Sequence, residues 1–197
     1  MKKQSNQNDF FFEIINENIA IKQAMAQDPQ LFVFLHKVID ECINVFRKGG
    51  KVIWCGNGGS AADAQHLAAE LSGKFYLIRR ALHSIALHTN SSFLTAVSND
   101  FGFEHAYARN LEAMGREGDV LICLSTSGNS LNILNAAKTA QKMKLLVFGL
   151  TGLHGESMRE VCHHTYFIPS MNVARIQEGH MLIGHIICQK IEKLLFE

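Results

Sequence analysis

The chain of 197 residues is 47% hydrophobic and 19% charged, which is the composition of a folded globular domain rather than a disordered or fibrous protein. Its 19 basic and 18 acidic side chains leave a formal net charge of +1, so the charge balance disfavours nucleic acid or an anionic membrane surface as partner. The most basic site inside the chain, Arg79-Arg80, is typical of a solvated turn.

The N-terminal residues and the cysteines both favour the cytoplasm. Polar residues 1–9 and Glu13 interrupt the apolar core that a signal peptide requires, and no run approaches the roughly 18 apolar residues that span a bilayer. The five cysteines form no CxxC pair, and most lie in apolar segments. We therefore expect buried thiols in a reducing compartment and a soluble protein that contacts no membrane.

Hydrophobic periodicity predicts two helices at the start of the chain, over about residues 10–25 and 29–48. Pro29 near the start of the second and Gly49-Gly50 at its end are typical helix boundaries. From Lys51 onward, short apolar runs alternate with helices. The runs cover residues 51–55, 84–87, 119–124, 145–150 and 166–168, and a last helix covers about 173–195.

Continuous apolar strands that alternate with helices indicate a parallel sheet covered on both faces. We predict one domain over residues 1–197, with a three-layer, doubly wound α/β fold of the flavodoxin-like or Rossmann-like kind. The helical pair at about 10–48 precedes the core, and the α/β core and C-terminal helix occupy about 51–197.

The loop Ser125-Thr-Ser-Gly-Asn-Ser130 carries four hydroxyl groups between a predicted strand and a helix. Free N–H groups at a helix N-terminus favour an anion and hydroxyl groups add donors, so we predict a phosphate site. No lysine of the GxxxxGK[ST] kind is present, which disfavours an ATP or GTP loop. The alternative is a serine-rich helix N-cap, although a cap needs fewer hydroxyl groups.

The earlier loop, Gly56-Asn-Gly-Gly-Ser60, lacks the GxGxxG spacing of dinucleotide-binding proteins. Its glycines permit a close approach of the backbone to a ligand, and Asn57 and Ser60 offer polar groups to a sugar. The alternative is a tight turn in which Ser60 caps the next helix.

His66 and Glu70, spaced i and i+4, share one helix face and could chelate a metal ion, although an exposed pair is the commoner explanation. Gln177 and His185 lie eight residues apart in the last helix, about 12 Å along its axis. A shared metal therefore requires that their side chains converge or that two subunits contribute. The apolar stretch around His185 is equally typical of a core histidine.

Six motifs in order resemble the signature of the bacterial phosphoheptose isomerases. They are Cys55-Gly-Asn-Gly-Gly-Ser60, Asp63-Ala-Gln-His66 with Glu70-Leu, Asn99-Asp-Phe-Gly-Phe, Gly115-Arg-Glu-Gly-Asp-Val, Ser125-Thr-Ser-Gly-Asn-Ser130, and Arg175-Ile-Gln-Glu followed by His185. The resemblance covers about residues 10 to 195. It implies the sugar isomerase (SIS) fold and conversion of sedoheptulose 7-phosphate into D-glycero-D-manno-heptose 7-phosphate, the first step toward the heptose of lipopolysaccharide or capsule.

The resemblance also implies a role for each matching residue. The phosphate loop comprises Ser125, Thr126, Ser127 and Ser130. The further substrate contacts comprise Asn57, Gly58, Gly59, Ser60, Glu70, Asn99, Asp100 and Gln177. The catalytic acid/base pair is Glu70 and His185. One zinc ion per subunit is bound by His66, Glu70, Gln177 and His185, and the assembly is a homotetramer with sites at subunit contacts.

Three positions depart from the family pattern: Lys74 replaces a common arginine, Asn90 a common aspartate, and Ala174 an aspartate of some members. They affect fine substrate contacts rather than the reaction class. Two alternatives stay open at this point. One is a non-enzymatic SIS-fold regulator that binds the replication initiator protein, a branch that typically lacks the glutamate at the position of Glu70. The other is an isomerase of a different sugar phosphate.

Overall fold

The computed structural model describes residues 2–197, with side-chain surroundings described from residue 8 onward. The elements in chain order are α1 (Lys2–Gln27), α2 (Pro29–Arg47), β1 (Val52–Gly56), α3 (Gly59–Ser72), β2 (Ser84–Ala86), α4 (Ser91–Phe101), α5 (Phe103–Met114), β3 (Val120–Ser125), α6 (Leu131–Lys142), β4 (Leu146–Gly152), α7 (Glu156–Val161), β5 (His164–Ile168) and α8 (Val173–Phe196). Each predicted strand is present within two residues of its expected ends. The predicted helical pair is also present, and α1 begins earlier than expected.

The five strands form one parallel sheet in the order β2-β1-β3-β4-β5. This is the flavodoxin-like order, in which the chain crosses from one side of β1 to the other between β2 and β3. One apolar core lies between the sheet and α2, α3 and α8, and a second lies between the sheet and α5, α6 and α7. The predicted three-layer doubly wound fold is confirmed.

β1 shows why the apolar runs of this sequence are continuous. All five of its residues are buried. Val52 and Trp54 belong to the core under α2, α3 and α8, whereas Ile53 and Cys55 belong to the core under α5 and α6. A strand covered on both faces needs apolar side chains at every position. All five cysteines in the described part of the chain are free and buried, as expected.

The sequence analysis assigned no element to the segment between β2 and β3, where the structure has α4 and α5. Val97 is the single buried residue of α4, and Phe93 and Leu94 pack partly buried against the same core, so the apolar stripe of this helix is short. Asn90 caps α4 because its side chain accepts a hydrogen bond from the Phe93 N–H at 3.0 Å. Within residues 2–197, no helix has the length and apolar character required to cross a membrane.

The solvated turn predicted at Arg79-Arg80 is wrong for Arg79. Its side chain is 2% exposed, and its Nε donates to the Glu192 carboxylate at 2.9 Å. A guanidinium is buried at acceptable cost only where an opposite charge and hydrogen-bond acceptors surround it. Glu192 lies 113 residues further along the chain, so local sequence gives no sign of this partner.

α1 makes few contacts with the rest of the subunit. Phe10, Phe11 and Phe12 are 57%, 57% and 68% exposed, which is unusual for three consecutive aromatic side chains. One link to α8 is the Arg175 Nη1 atom, which donates to the carbonyl oxygen of Ile14 at 3.1 Å. The helix therefore presents an apolar surface that this subunit leaves uncovered.

Candidate functional site

The two polar loops follow neighbouring strands, β1 and β3, at the carboxyl edge of the sheet. Strand order reverses between these two strands, and ligands of open α/β sheets bind at such a switch point. Asn57 of the first loop and Asn132, in the first turn of α6 after the second loop, bind each other. Their side-chain amides exchange two hydrogen bonds of 2.9 and 2.8 Å. The amide of Asn57 therefore has a partner in the protein, and its predicted sugar contact stays a prediction.

The hydroxyl-rich loop is folded around its own backbone. The Ser125 hydroxyl accepts a hydrogen bond from the Gly128 N–H at 3.1 Å, and Gly128 has a φ of +66°, which favours glycine. Ser127 is exposed and Thr126 is half-buried. Ser130 is the N-cap residue of α6, but its side chain makes no capping hydrogen bond. The N-cap alternative therefore does not explain the hydroxyl of Ser130, which is left available to a ligand.

The glycine loop after β1 begins α3. Gly58, with a φ of +53°, is the N-cap residue, so the alternative in which Ser60 caps the helix is wrong. Ser60 is buried in the first turn. Gly59 lies directly against the amide of Gln177, because a Cβ atom added there would be 2.4 Å from the Gln177 Nε2 atom. The loop and α8 can approach only because Gly59 lacks a side chain.

The structure brings together three of the predicted metal ligands. His66 and Glu70 on α3 meet His185 on α8: the His66 Nε2 atom lies 3.2 Å from a Glu70 carboxylate oxygen and 3.1 Å from the His185 Nε2 atom. One donor atom from each residue lies within 4.8 Å of the others. This approach depends on Gly184, where an added Cβ would be 2.4 Å from a Leu67 methyl group. His66 is exposed and paired with Glu70, as the alternative described, but His185 joins the pair.

His185 is only partly buried, so it is not the core histidine that the alternative described. Its ring centroid lies 5.3 Å from that of His66 and 5.6 Å from that of Phe75. Burial and the neighbouring His66 lower the pKa of His185, and Glu70 opposes this shift. His185 is therefore a neutral imidazole near pH 7, which can accept a proton.

Gln177, the fourth predicted ligand, lines an open cleft of about 500 Å³ together with His185, Asp63, Glu178 and Lys22. The cleft spans the two turns of α8 that separate Gln177 from His185. Gln177 is half-buried, with its amide against the start of α3. Gln177 and His185 thus line one cleft from the same helix, and whether both bind one metal stays a prediction.

Asp63 is a site residue to which the sequence analysis gave no role. It lies one turn before His66 on α3, and its Oδ2 atom is buried with no hydrogen-bond partner among the described residues. Burial raises the pKa of its carboxyl, while His66 lowers it. The signal was available in the sequence, because positions 63, 66 and 70 share one helix face.

The last two predicted sugar contacts, Asn99 and Asp100, are exposed at the C-terminal end of α4. Their side chains bond to each other, with the Asn99 Nδ2 atom donating to the Asp100 carboxylate at 2.9 Å. The structure does not join them to the histidine cluster by any contact among the described residues. Their role in binding sugar therefore stays a prediction.

Known proteins resemble this chain over almost its whole length. A family model described as the SIS domain matches residues 20–152. The phosphoheptose isomerase of Aneurinibacillus thermoaerophilus is 43% identical over 189 residues, which cover 96% of this chain and 96% of that protein. A phosphoheptose isomerase of Campylobacter jejuni is 51% identical over 181 residues, which cover 92% of each.

Solved structures agree with these sequence matches. The phosphoheptose isomerase of Neisseria gonorrhoeae has a TM-score of 0.88 to this chain at 36% identity, and the match covers 94% of this chain and 98% of that one. A phosphoheptose isomerase of Francisella tularensis has a TM-score of 0.89 at 33% identity, with 95% and 98% covered. Both loops, His66 and Glu70 lie within residues 20–152, which match the family model.

Proposed function

The chain belongs to the SIS-domain family and, within it, to the phosphoheptose isomerases, and we propose that the side chains between α3 and α8 carry out its reaction. It is an aldose–ketose isomerase that converts sedoheptulose 7-phosphate into D-glycero-D-manno-heptose 7-phosphate. The observation that carries the proposal is the meeting of His66, Glu70 and His185 beside an open cleft. We infer that the product supplies heptose for lipopolysaccharide or capsule.

The loop at residues 125–130 binds the phosphate of the substrate. Its hydroxyl groups and the N-terminal N–H groups of α6 donate hydrogen bonds to phosphate oxygens, and the helix dipole favours the negative charge. Ser127 is exposed and Ser130 makes no capping bond, so both hydroxyl groups can be used in this way. A fixed phosphate leaves the carbonyl end of the sugar to be oriented toward the cluster, which lowers the entropic part of the barrier.

The isomerisation itself is a proton transfer between neighbouring carbons of the open-chain sugar. A base removes a proton from C1 of the ketose, the electron pair forms the C1–C2 double bond of an enediol, and the C2 oxygen receives a proton. Return of a proton to C2 and loss of the proton from the C1 hydroxyl then give the aldose. Glu70 is the base at the carbon, and the neutral imidazole of His185 relays the proton between the oxygens.

The cluster has the donor set and the spacing of a zinc site. Tetrahedral zinc with bonds of about 2.0–2.1 Å separates neighbouring ligand atoms by about 3.3 Å, close to the 3.1 and 3.2 Å observed here. We propose that His66, Glu70, Gln177 and His185 hold one zinc ion per subunit, which when bound supplies a Lewis acid to the sugar oxygens. A metal-bound carboxylate or imidazole is a weaker base, so the shares of proton transfer carried by Glu70 and His185 depend on metal occupancy.

We also propose a homotetramer with its sites at subunit contacts, acting in the cytoplasm. The exposed phenylalanines of α1 supply apolar surface for association, and Lys22 of the same helix lines the cleft that contains His185. A second copy packed on α1 would therefore border the cleft. Sedimentation equilibrium tests this with an expected mass of four times 22.0 kDa. The free buried cysteines support a reducing compartment.

The decisive experiment follows the formation of aldoheptose phosphate from sedoheptulose 7-phosphate with the native protein and with Glu70→Gln. Loss of the base should lower kcat/KM by about 10³-fold, within the range for general acid–base catalysis. Calorimetric binding of the substrate should persist, because the phosphate loop is untouched. Glu112→Gln, an exposed glutamate on α5, is the matched control and should keep full activity.

Two outcomes would overturn these assignments. A fully active Glu70→Gln protein would remove the catalytic role of Glu70. A folded, zinc-supplied native protein that turns over another sugar phosphate but not sedoheptulose 7-phosphate would change the substrate. The regulatory alternative has no support from the relatives, and this chain keeps the glutamate that the regulatory branch typically lacks.

A further inference from the structure

A buried ion pair holds the segment that follows α3 in a single conformation. On α8, the Glu192 carboxylate accepts hydrogen bonds from the backbone N–H groups of Phe75 at 3.1 Å, Tyr76 at 2.7 Å and Leu77 at 3.0 Å. It also accepts a bond of 2.9 Å from the Nε atom of Arg79. Both charged side chains are 2% exposed. We call this arrangement, with residues 73–80, the Arg79–Glu192 clamp.

The other side of the Arg79 guanidinium closes the C-terminal end of α3. Its Nη2 atom donates to the carbonyl oxygen of Glu70 at 2.9 Å, and Nη1 donates to the carbonyl oxygens of Leu71 at 2.9 Å and Gly73 at 3.0 Å. The last carbonyl groups of a helix have no partners within the helix, and a cation is favoured there. The clamp thus begins at the backbone of Glu70, the residue to which we assign the base.

The clamp also determines what covers His185. The ring centroids of Phe75 and His185 lie 5.6 Å apart, with 31° between the ring planes. The Tyr76 ring contacts Phe75, with 4.3 Å between the two centroids. The backbone of Phe75 is bonded to Glu192, which lies two turns after His185 on α8. One helix therefore carries both the imidazole and the carboxylate that fixes its cover.

The charges of the clamp are more than packing requires. Burying an ion pair costs desolvation energy that its attraction roughly offsets, so apolar residues of similar size often stabilise a fold as well or better. A carboxylate with four donors directed at it, in contrast, selects one geometry of the turn. Although burial alone raises the pKa of Glu192, the three N–H groups and Arg79 together hold it below its usual value, so the carboxylate is charged.

We propose that Arg79 and Glu192 are positioning residues of the isomerase, which act by holding the Phe75 ring over His185. The inference rests on the proposed function of His185 as a proton relay. Neither charged residue touches the substrate. Their effect is on the orientation and water access of the imidazole, and a displacement of the order of 1 Å at such a group can cost about 10²-fold in rate.

The test compares three variants. Glu192→Gln replaces the carboxylate by an amide that cannot accept all four bonds. Phe75→Leu removes the ring but keeps its backbone N–H on Glu192. Both should lower kcat by about 10- to 100-fold with KM within about twofold of the native value. Phe32→Leu, which removes an exposed aromatic ring on α2 outside the clamp, is the matched control and should keep native kcat.

The double variant separates positioning from general damage. If both changes act through the same ring, Glu192→Gln combined with Phe75→Leu should lose no more activity than the more affected single variant. Phe75→Tyr, which keeps an aromatic ring, should restore kcat to within about threefold of native. Multiplicative losses in the double variant, or native kcat in Phe75→Leu, would overturn the proposal.

A second readout does not depend on turnover. In protein with ¹³C-labelled histidine, the ring resonances of His185, assigned with His185→Gln, should shift in Glu192→Gln and in Phe75→Leu but not in Phe32→Leu. An unchanged His185 resonance in Glu192→Gln overturns the proposal even if the enzyme is active. If the two variants show these shifts but the native protein does not isomerise sedoheptulose 7-phosphate, the proposed function is overturned. The positioning of His185 by the clamp would still stand.

Discussion

Two regions of the molecule use charged side chains in opposite ways. At the amino edge of the sheet, Asp119 is buried and accepts three hydrogen bonds: from the Lys51 N–H at 2.9 Å, from the Lys51 ammonium at 2.6 Å and from the Arg116 N–H at 2.8 Å. Between α3 and α8, Glu70 meets His66 and His185, and His185 borders an open cleft.

The difference lies in how completely each charge is paired. A carboxylate whose acceptor sites are all occupied by its own protein contributes to folding and has nothing left to offer a substrate. A carboxylate that meets two imidazoles beside a cleft keeps free acceptor capacity, and so it can bind a metal or accept a proton. Charge at the amino edge therefore serves stability, and charge between α3 and α8 serves chemistry.

The largest expected effect is the loss of stability when the amino edge is broken. Asp119→Ala leaves the Lys51 ammonium buried without a partner and should lower the free energy of unfolding by about 3–5 kcal/mol. Urea denaturation at pH 7 measures this. Glu117→Ala removes an exposed pair with Lys144 and should change stability by less than about 1 kcal/mol. Equal losses in the two variants would contradict the comparison.

Metal binding should stabilise the cluster between α3 and α8 instead. Free zinc at 100 times its Kd should raise the free energy of unfolding of the native protein by about 2.7 kcal/mol, and a chelator should reverse this. His66→Gln should lose most of the gain because it removes one donor of the cluster. His36→Gln, an exposed histidine on α2, should keep it. Thermal denaturation with and without zinc measures this gain. If zinc does not stabilise the native protein, the result counts against the zinc site.

His180, a buried histidine on α8, has no role in the proposed site. Both ring nitrogens of His180 are buried without a hydrogen-bond partner among the described residues, and burial lowers its pKa from 6.5 to about 3. As the pH decreases, the unfolded chain binds a proton at His180 before the folded protein does. The stability that neutral His180 contributes is therefore complete above about pH 6.5. It falls by about 1.4 kcal/mol per pH unit as the pH decreases toward 3.

Comparison of the native protein with His180→Leu isolates the pH-dependent stability that His180 contributes. The difference in unfolding free energy between them should change by about 2 kcal/mol between pH 7 and pH 5, and urea denaturation at several pH values measures it. His36→Leu is the control, and its curve should stay parallel to the native one. If the curve of His180→Leu is parallel to the native curve, His180 is protonated in the folded protein as readily as in the unfolded chain.

The smallest effect concerns the hydroxyl of Ser130. Ser130→Ala should change stability by less than about 0.5 kcal/mol, because no capping bond is lost, yet it should raise KM for the sugar phosphate by about tenfold. The comparison is Asn172→Ala. Asn172 caps α8 by accepting from the Ala174 N–H at 3.0 Å, so its loss should cost about 1 kcal/mol. A destabilised Ser130→Ala protein with native KM would reverse the assignment.

Much of the fold could be predicted because its signals are local. Strands buried on both faces are apolar at every position, as in β1, and the glycine and serine loops mark their ends. The pair His66 and Glu70 follows from helical spacing alone. α4 was missed because its apolar stripe is short, with Val97 buried and Phe93 and Leu94 only partly buried.

By itself, the sequence determined the five strands, the two loops, and the family to which the motifs belong, since each of these depends on residues close together in the chain. Only the tertiary structure decided that His185 meets His66, that Arg79 is buried on Glu192, and that Asn57 pairs with Asn132. These partners are 119, 113 and 75 residues apart. Their contacts depend on how closely α8 and α3 pack at Gly184 and on which strands are neighbours, and no local pattern encodes either one.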